Sequence, residues 1–357
     1  YFDLETDFTE SLLVSFATRY ENYSDFGGTI NFKLATLYKI NDNFNLRAAG
    51  NTGFRAPSLH QLNFNSTSTI FDQNGNPQEV GTFANDSRAA ALLGIPQLKE
   101  EKSKSVSVGF TAKLPEANIS LTVDGYFVAI DDRIVYTGQF KGPGTGTELD
   151  NLLSQANATA ASFFANAIDT ESKGIDLVIT QKMRFGKNMG LRNDLSATFS
   201  KTQQVGDIKA SRVLEDAGLV NTYFPEDSRV YLEEAVPRTK INLSNSFTAG
   251  KLNVFLRNVF FGEVTEATTN VDRQQVFGSK VVTDLSVGYE LADHLTITVG
   301  ANNLLDIYPD RAAQDLEPGI EGDQNNRSGG RFDWSRRAQQ FGIGGRYLFA
   351  RVTFGLQ

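Results

Sequence analysis

The chain has 357 residues, no cysteine, and 42 Asp and Glu against 34 Lys and Arg, a formal net charge of −8. The missing cysteine excludes disulfides, thiolate metal sites and a cysteine nucleophile, and the acidic balance lacks the basic footprint that a nucleic-acid partner requires. No apolar run approaches the ~18 residues of a membrane-crossing helix, yet a strand-built membrane wall stays compatible with 40% hydrophobic residues, because only alternate residues meet lipid.

Residues 1–10 offer a partial strand at most. Ser11 to Asn22 alternates, with Leu12, Val14, Phe16, Thr18 and Tyr20 on one face. A turn around Asp25 follows, and Thr29 to Ile40 returns with Ile30, Phe32, Leu34, Thr36 and Tyr38 on the matching face. Asn41-Asp42-Asn43 turns tightly into the clearest stretch of the chain. There Phe44, Leu46, Ala48, Gly50, Thr52 and Phe54 share one parity, while Asn45, Arg47, Asn51 and Arg55 share the other. A period of two means an extended strand with unlike faces. In a soluble sandwich the apolar face would meet a second sheet; in an outer-membrane barrel it meets lipid. Pro57 ends the strand, since it cannot donate to a ladder.

A long polar insert runs over residues 56–101, with a turn at Asn74 to Pro77 and a predicted short helix at Asp86 to Leu93. Strands are then expected at Lys102 to Lys113 and Asn118 to Asp132, separated by a short turn, with Ile119, Leu121, Val123 and Phe127 outward. Residues 134–165 form a second long loop, with a predicted helix over Glu148 to Ala161. Glu171 to Met183 and Leu191 to Thr202 make the next hairpin, and residues 203–236 a third loop. Strands at Pro237 to Thr248, Leu252 to Phe261, Val281 to Tyr289 and Leu295 to Ala301 follow, then a loop over residues 304–339 and a closing strand at Phe341 to Leu356.

About twelve strands result, with short turns at one end and long loops at the other, the short first turn on the long-loop side excepted, the arrangement of a bacterial outer-membrane barrel. A soluble sandwich or a propeller has no reason to segregate loop length by side. The expected class is therefore all-β, a transmembrane antiparallel up-and-down barrel, with residues 1–357 as one domain.

Particular words add a resemblance. LRAAGNTGFRAPSLHQL, Leu46 to Leu62, resembles the mid-barrel signature of TonB-dependent outer-membrane receptors. VGANNLLDIYPDR, Val299 to Arg311, is similar to their late NNLFD-type segment, ESKGIDLVI to their SKGIEL-type strand, and GRYLFARVTFGL, Gly345 to Leu356, to their closing strand. The resemblance implies a full barrel of about 22 strands around a plug. Plug, TonB-contact segment, export signal and first strands are all expected to be missing here, so that this is the C-terminal part of the barrel. It further implies import of a scarce ligand (siderophore, vitamin, glycan or peptide) with TonB-derived energy, a place in the bacterial outer membrane, and lipid and the TonB complex as partners. It leaves open a surface lipoprotein that caps the barrel. The rivals are a passive porin and a surface adhesin.

No catalytic constellation emerges, no cofactor is implied, and no metal site is expected. His60 reads as a solvated loop residue, and Asp131-Asp132-Arg133 as ion-paired groups at a barrel rim. What remains is a polar lumen. Arg47, Asn51, Arg55, Asp124, Tyr126 and Arg257, with Lys33, line it, and Trp334 with the loop aromatics Phe64, Phe71, Tyr136, Tyr223 and Phe224 can cap it. The bland role of these wall residues is a hydrated surface against a plug; the functional one is a ligand chamber near the external mouth.

Overall fold

The computed structural model describes residues 1–24, 27–71, 75, 77–267, 274–312, 333–335 and 337–355. The turn at Asp25, most of the Asn74 to Pro77 turn, most of the last loop and Leu356 lie outside the described residues.

The wall begins with β1 (Phe2–Thr9), β2 (Leu12–Tyr23), β3 (Gly27–Asn41) and β4 (Phe44–Arg55). The first long loop carries α1 (Leu59–Asn63), β5 (Ser66–Phe71), β6 (Pro77–Thr82) and α2 (Arg88–Leu92). After β7 (Glu101–Leu114) and β8 (Ile119–Tyr136), the second carries β9 (Phe140–Lys141), α3 (Glu148–Gln155) and β10 (Ala160–Ser162). After β11 (Phe164–Phe185) and β12 (Met189–Val205), the third carries α4 (Arg212–Asp216), α5 (Val220–Tyr223) and α6 (Glu226–Glu234). The wall continues through β13 (Thr239–Ala249) and β14 (Leu252–Phe261), then a small hairpin of β15 (Val264–Glu266) and β16 (Gln275–Phe277). It ends with β17 (Lys280–Ala292), β18 (Leu295–Asn302) and β19 (Tyr347–Phe354).

One 13-stranded antiparallel sheet holds β1-β2-β3-β4-β7-β8-β11-β12-β13-β14-β17-β18-β19 in that order. It is one strand more than the alternation suggests, because Phe2–Thr9 pairs with β2 along its length. The sheet is open, with β1 and β19 at its edges.

Register carries the apolar face across the wall. Leu46 lies opposite Phe110, then Val123, Leu177, Ala197, Ile241, Phe260 and Val281 on successive strands. Leu12, Phe16, Leu34, Val108, Leu121, Leu285 and Ile297 share that face by the same pairings. On β14 the face is Val254, Leu256 and Phe260, which turns Arg257 to the other side.

The long loops are more ordered than a polar insert suggests. β5, β6, β10 and β9 form a second sheet. Ala90, Leu93, Phe140, Leu153, Phe163, Ile168, Leu214 and Tyr223, drawn from three loops and the upper end of β11, bury one another in a common core. The predicted helix at Asp86 to Leu93 is α2. The helix predicted within Glu148 to Ala161 is shorter: Asn157 takes a left-handed φ of 57°, and Ala160–Ser162 goes instead to parallel pairing with β6. β8 and β11 outrun their predicted ends, since Asp132 with φ 58° forms a bulge that lets the pair continue to Tyr136 and Phe164.

Candidate functional site

The polar face of the wall is a ladder of partnered groups. Arg47 of β4 reaches across β7 to Asp124 of β8. Its Nε donates to Oδ1 at 2.8 Å, and its Nη2 to Oδ2. The intervening position is Gly109, where a Cβ would stand 2.0 Å from Asp124 Oδ1, so only glycine leaves the passage open. Arg55 faces Glu101, with Nε to Oε2 at 2.7 Å, and Glu101 also accepts the Ile134 amide at 2.8 Å. Arg257 donates to Asp284 at 2.8 Å, and the same carboxylate accepts the Asn303 amide at 2.8 Å. Asn51 accepts from Ser105 Oγ at 2.5 Å. Tyr126 lies over Gly174, its Oη 2.5 Å from where a Cβ would be. Thus the six wall residues singled out from the sequence share one face, and Arg47 and Asp124 form a pair. Lys33, in register with Asn51 on β4, shares the face. Trp334 stands apart in the last loop, stacked on Tyr308 at 6.1 Å with Arg311 over its ring at 6.0 Å.

A second feature lies at the long-loop end, where a cavity of about 560 Å³ opens between the tops of β8 and β11, α6 and the last loop. Arg133, Tyr136, Phe224, Asp227, Tyr231 and Arg337 line it. Arg133 Nη1 donates to Thr170 Oγ1 at 3.3 Å. Arg337 approaches Asp227 Oδ2 at 3.8 Å, and Asp227 Oδ1 is buried with no hydrogen-bond partner. Two guanidiniums and one carboxylate thus line the cavity among aromatic side chains.

Its floor is held in place. Arg229 in α6 donates to Glu226 at 2.8 Å and to Glu233 at 3.0 Å, and the other Glu233 oxygen accepts the Gln204 amide of β12 at 2.9 Å. The Arg229 hydrogen bonds hold the Glu226 carboxyl below its ordinary value, against the opposing pull of burial. Tyr223, one of the expected capping aromatics, is instead buried in the loop core, its Oη accepting the Ser211 amide at 2.7 Å. Burial pushes its phenol up, the Ser211 hydrogen bonds opposing.

A family model described as TonB dependent receptor-like, beta-barrel matches residues 1–304. The chain belongs to the TonB-dependent receptor β-barrel family. Members sit in the outer membrane of Gram-negative bacteria, which is where this receptor barrel belongs. Among curated proteins no match is found. Solved structures share the fold. The siderophore receptor PirA of Acinetobacter baumannii is 14% identical, with a TM-score of 0.62 over 99% of this chain and 44% of that one. The ferric enterobactin receptor PfeA of Pseudomonas aeruginosa is 15% identical, with a TM-score of 0.61 over 98% and 43%. The ferripyoverdine receptor of Pseudomonas aeruginosa, bound to ferripyoverdine, is 13% identical, with a TM-score of 0.54 over 86% and 34%. This receptor barrel therefore spans less than half the length of the receptors it matches.

Arg133, Asp227, Tyr231 and Arg337 escape sequence reasoning as site residues. Arg133 lies at the upper end of β8, Asp227 and Tyr231 in α6 and Arg337 in the last loop, and only packing brings these three distant segments to one cavity.

Proposed function

We propose that this chain is the C-terminal wall and mouth of a receptor that imports an anionic metal chelate, a ferric siderophore, across the outer membrane with energy delivered through TonB. The observation that carries the substrate class is the external cavity, in which Arg133 and Arg337 stand among Tyr136, Phe224 and Tyr231. Guanidiniums match anionic oxygens bidentately and stack on flat aromatic groups. Aromatic side chains supply rigid apolar contact, and the Asp227 carboxylate lines the same cavity. The solved neighbours named as siderophore, ferric enterobactin and ferripyoverdine receptors support the same class. The ligand is captured at this mouth. Arg47, Asn51, Arg55, Asp124, Tyr126 and Arg257 then line its path, with Trp334 held apart in the last loop against Tyr308.

The experiment is radioiron uptake by cells carrying the full-length receptor. Arg133→Gln with Arg337→Gln is expected to weaken binding of the transported chelate about tenfold or more, the size of one lost charge-assisted contact. Uptake is expected to stop when TonB is deleted. Uptake that persists without TonB would make the protein a passive pore. Import of neutral ligands alone, indifferent to the double substitution, would overturn the substrate class.

A further inference from the structure

The outward face of the barrel changes character near its external end. On β11 and β12, Ile175 lies opposite Phe199, and the next outward pair is Lys173 opposite Lys201. Phe127 flanks Lys173 on β8, and one step higher Lys104 lies two strands away, in the row of Ala129 and Glu171. All three lysines are exposed.

The pairing needs an explanation. Like charges directly opposite on a sheet repel. Acidic groups are close: Lys104 is 3.6 Å from Asp131, and Lys102 is 3.2 Å from Glu100. Glu171 shares the outward face one step above Lys173. Yet among the described residues no carboxylate forms an ion pair with Lys173 or Lys201. The chain as a whole carries an excess of acid, so this doublet is not a by-product of a basic composition.

Its height identifies what it meets. At about 3.3 Å per residue and a tilt of roughly 40°, the run from the Phe185 end of β11 up to Lys173 rises about 30 Å, just above an apolar band ~25 Å tall. The lysines therefore stand at the level of the outer-leaflet headgroups, directly above Ile175, Phe199 and Phe127, which face acyl chains.

We propose that Lys173 and Lys201, with Lys104 beside them, form a binding site for the phosphate of an anionic lipid in the outer leaflet, its acyl chains lying on Ile175, Phe199 and Phe127. The phosphate relieves the cross-strand repulsion, and the apolar rows below select a lipid over a soluble anion. The site is on the outside of the wall and is independent of whatever ligand passes through the lumen.

The test is native mass spectrometry of the full-length receptor in detergent, with a diphosphorylated glycolipid of the lipid A type, its phosphate-free form, and inorganic phosphate as probes. The wild-type receptor is expected to retain the phosphorylated lipid and not the phosphate-free form. Lys173→Gln with Lys201→Gln should lose it, whereas Lys173→Arg with Lys201→Arg should keep it. Heat-modifiable gel migration reports that each variant is folded. Lys39→Gln with Lys113→Gln, on the lumen face, is the control and should bind as wild type. Equal retention by the Gln variant, equal retention of the phosphate-free lipid, or displacement by equimolar inorganic phosphate would each overturn the proposal.

Discussion

At the scale of single residues, the polar wall depends on glycine as much as on charge. Arg47 and Asp124 sit on strands that are not neighbours, and their ion pair crosses β7 only because Gly109 has no side chain there. Both partners are half-exposed, so the pair is worth far less than its Coulomb energy in a dry interior. Losing it while keeping the two charges in place still leaves each to find new partners. Gly109→Ala is expected to destabilise the receptor by about 1–3 kcal/mol, measured by denaturant unfolding of the full-length protein. Because the closest clash and the ion pair share Asp124, and the further clash with the Val123 carbonyl oxygen at 2.8 Å is present in both variants, adding Asp124→Ala to Gly109→Ala should cost little more. Full additivity of the two changes would show that Gly109 serves some other purpose.

At the scale of elements, the second long loop is organised by a side chain that its own backbone wraps. Asp150, in the first turn of α3, accepts the amides of Gly144 at 3.0 Å, Thr145 at 3.1 Å, Gly146 at 3.0 Å and Thr147 at 3.0 Å. The Thr147 hydroxyl adds a bond at 2.9 Å and in turn accepts the Asp150 amide, which makes a capping box. Desolvation pushes this carboxyl up, but the hydrogen bonds from Gly144, Thr147 and Gly146 outweigh it and hold the group below its ordinary 3.8. The sign follows from linkage: a depressed folded value gives stabilisation that is complete above the unfolded value and is lost as pH falls through the folded one. The amides of residues 144–147 should therefore be protected from hydrogen exchange at neutral pH and lose that protection as pH drops below 3.8. In Asp150→Asn protection should be weaker throughout and insensitive to pH over that window. A loop whose protection ignores acid would sink this account.

At the scale of the whole molecule, the open sheet is the feature with the largest energetic consequence. β1 and β19 each present an unpaired edge, and in hydrocarbon every unsatisfied backbone group costs several kcal/mol. Closing these thirteen strands on themselves would need a new tilt and shear. We expect residues 1–357, expressed behind an export signal, to give no heat-modifiable band on a gel, and further strands supplied in the same chain to restore one by pairing with β1 and β19. A stable closed barrel from these residues alone would identify a small porin and remove the import proposal with it.

Much of this was decided by the sequence alone. Strand alternation is local, so the facing of Leu46 against Arg47, or of Leu121 against Asp124, is written in a few residues. Turn chemistry and loop length are local too, which is why nearly every hairpin, its long-loop end and helix α2 could be read before folding. Residues 2–9 carry only weak apolar alternation, and their pairing with β2 is what makes them a strand. Tertiary structure decided everything that depends on register or on contacts between distant segments. The Arg47–Asp124 bridge needs β4, β7 and β8 aligned around Gly109; Tyr223 is core rather than cap because three loops collapse together; and Ala160–Ser162 leaves its helix for a partner some eighty positions earlier, the register that sets Ala160 against Val80. The mouth cavity gathers Arg133, Asp227 and Arg337, and the outer face sets Lys173 against Lys201. No local pattern encodes those pairings, since the free energy that fixes them comes from burial and hydrogen bonds that form only when the whole wall is in register.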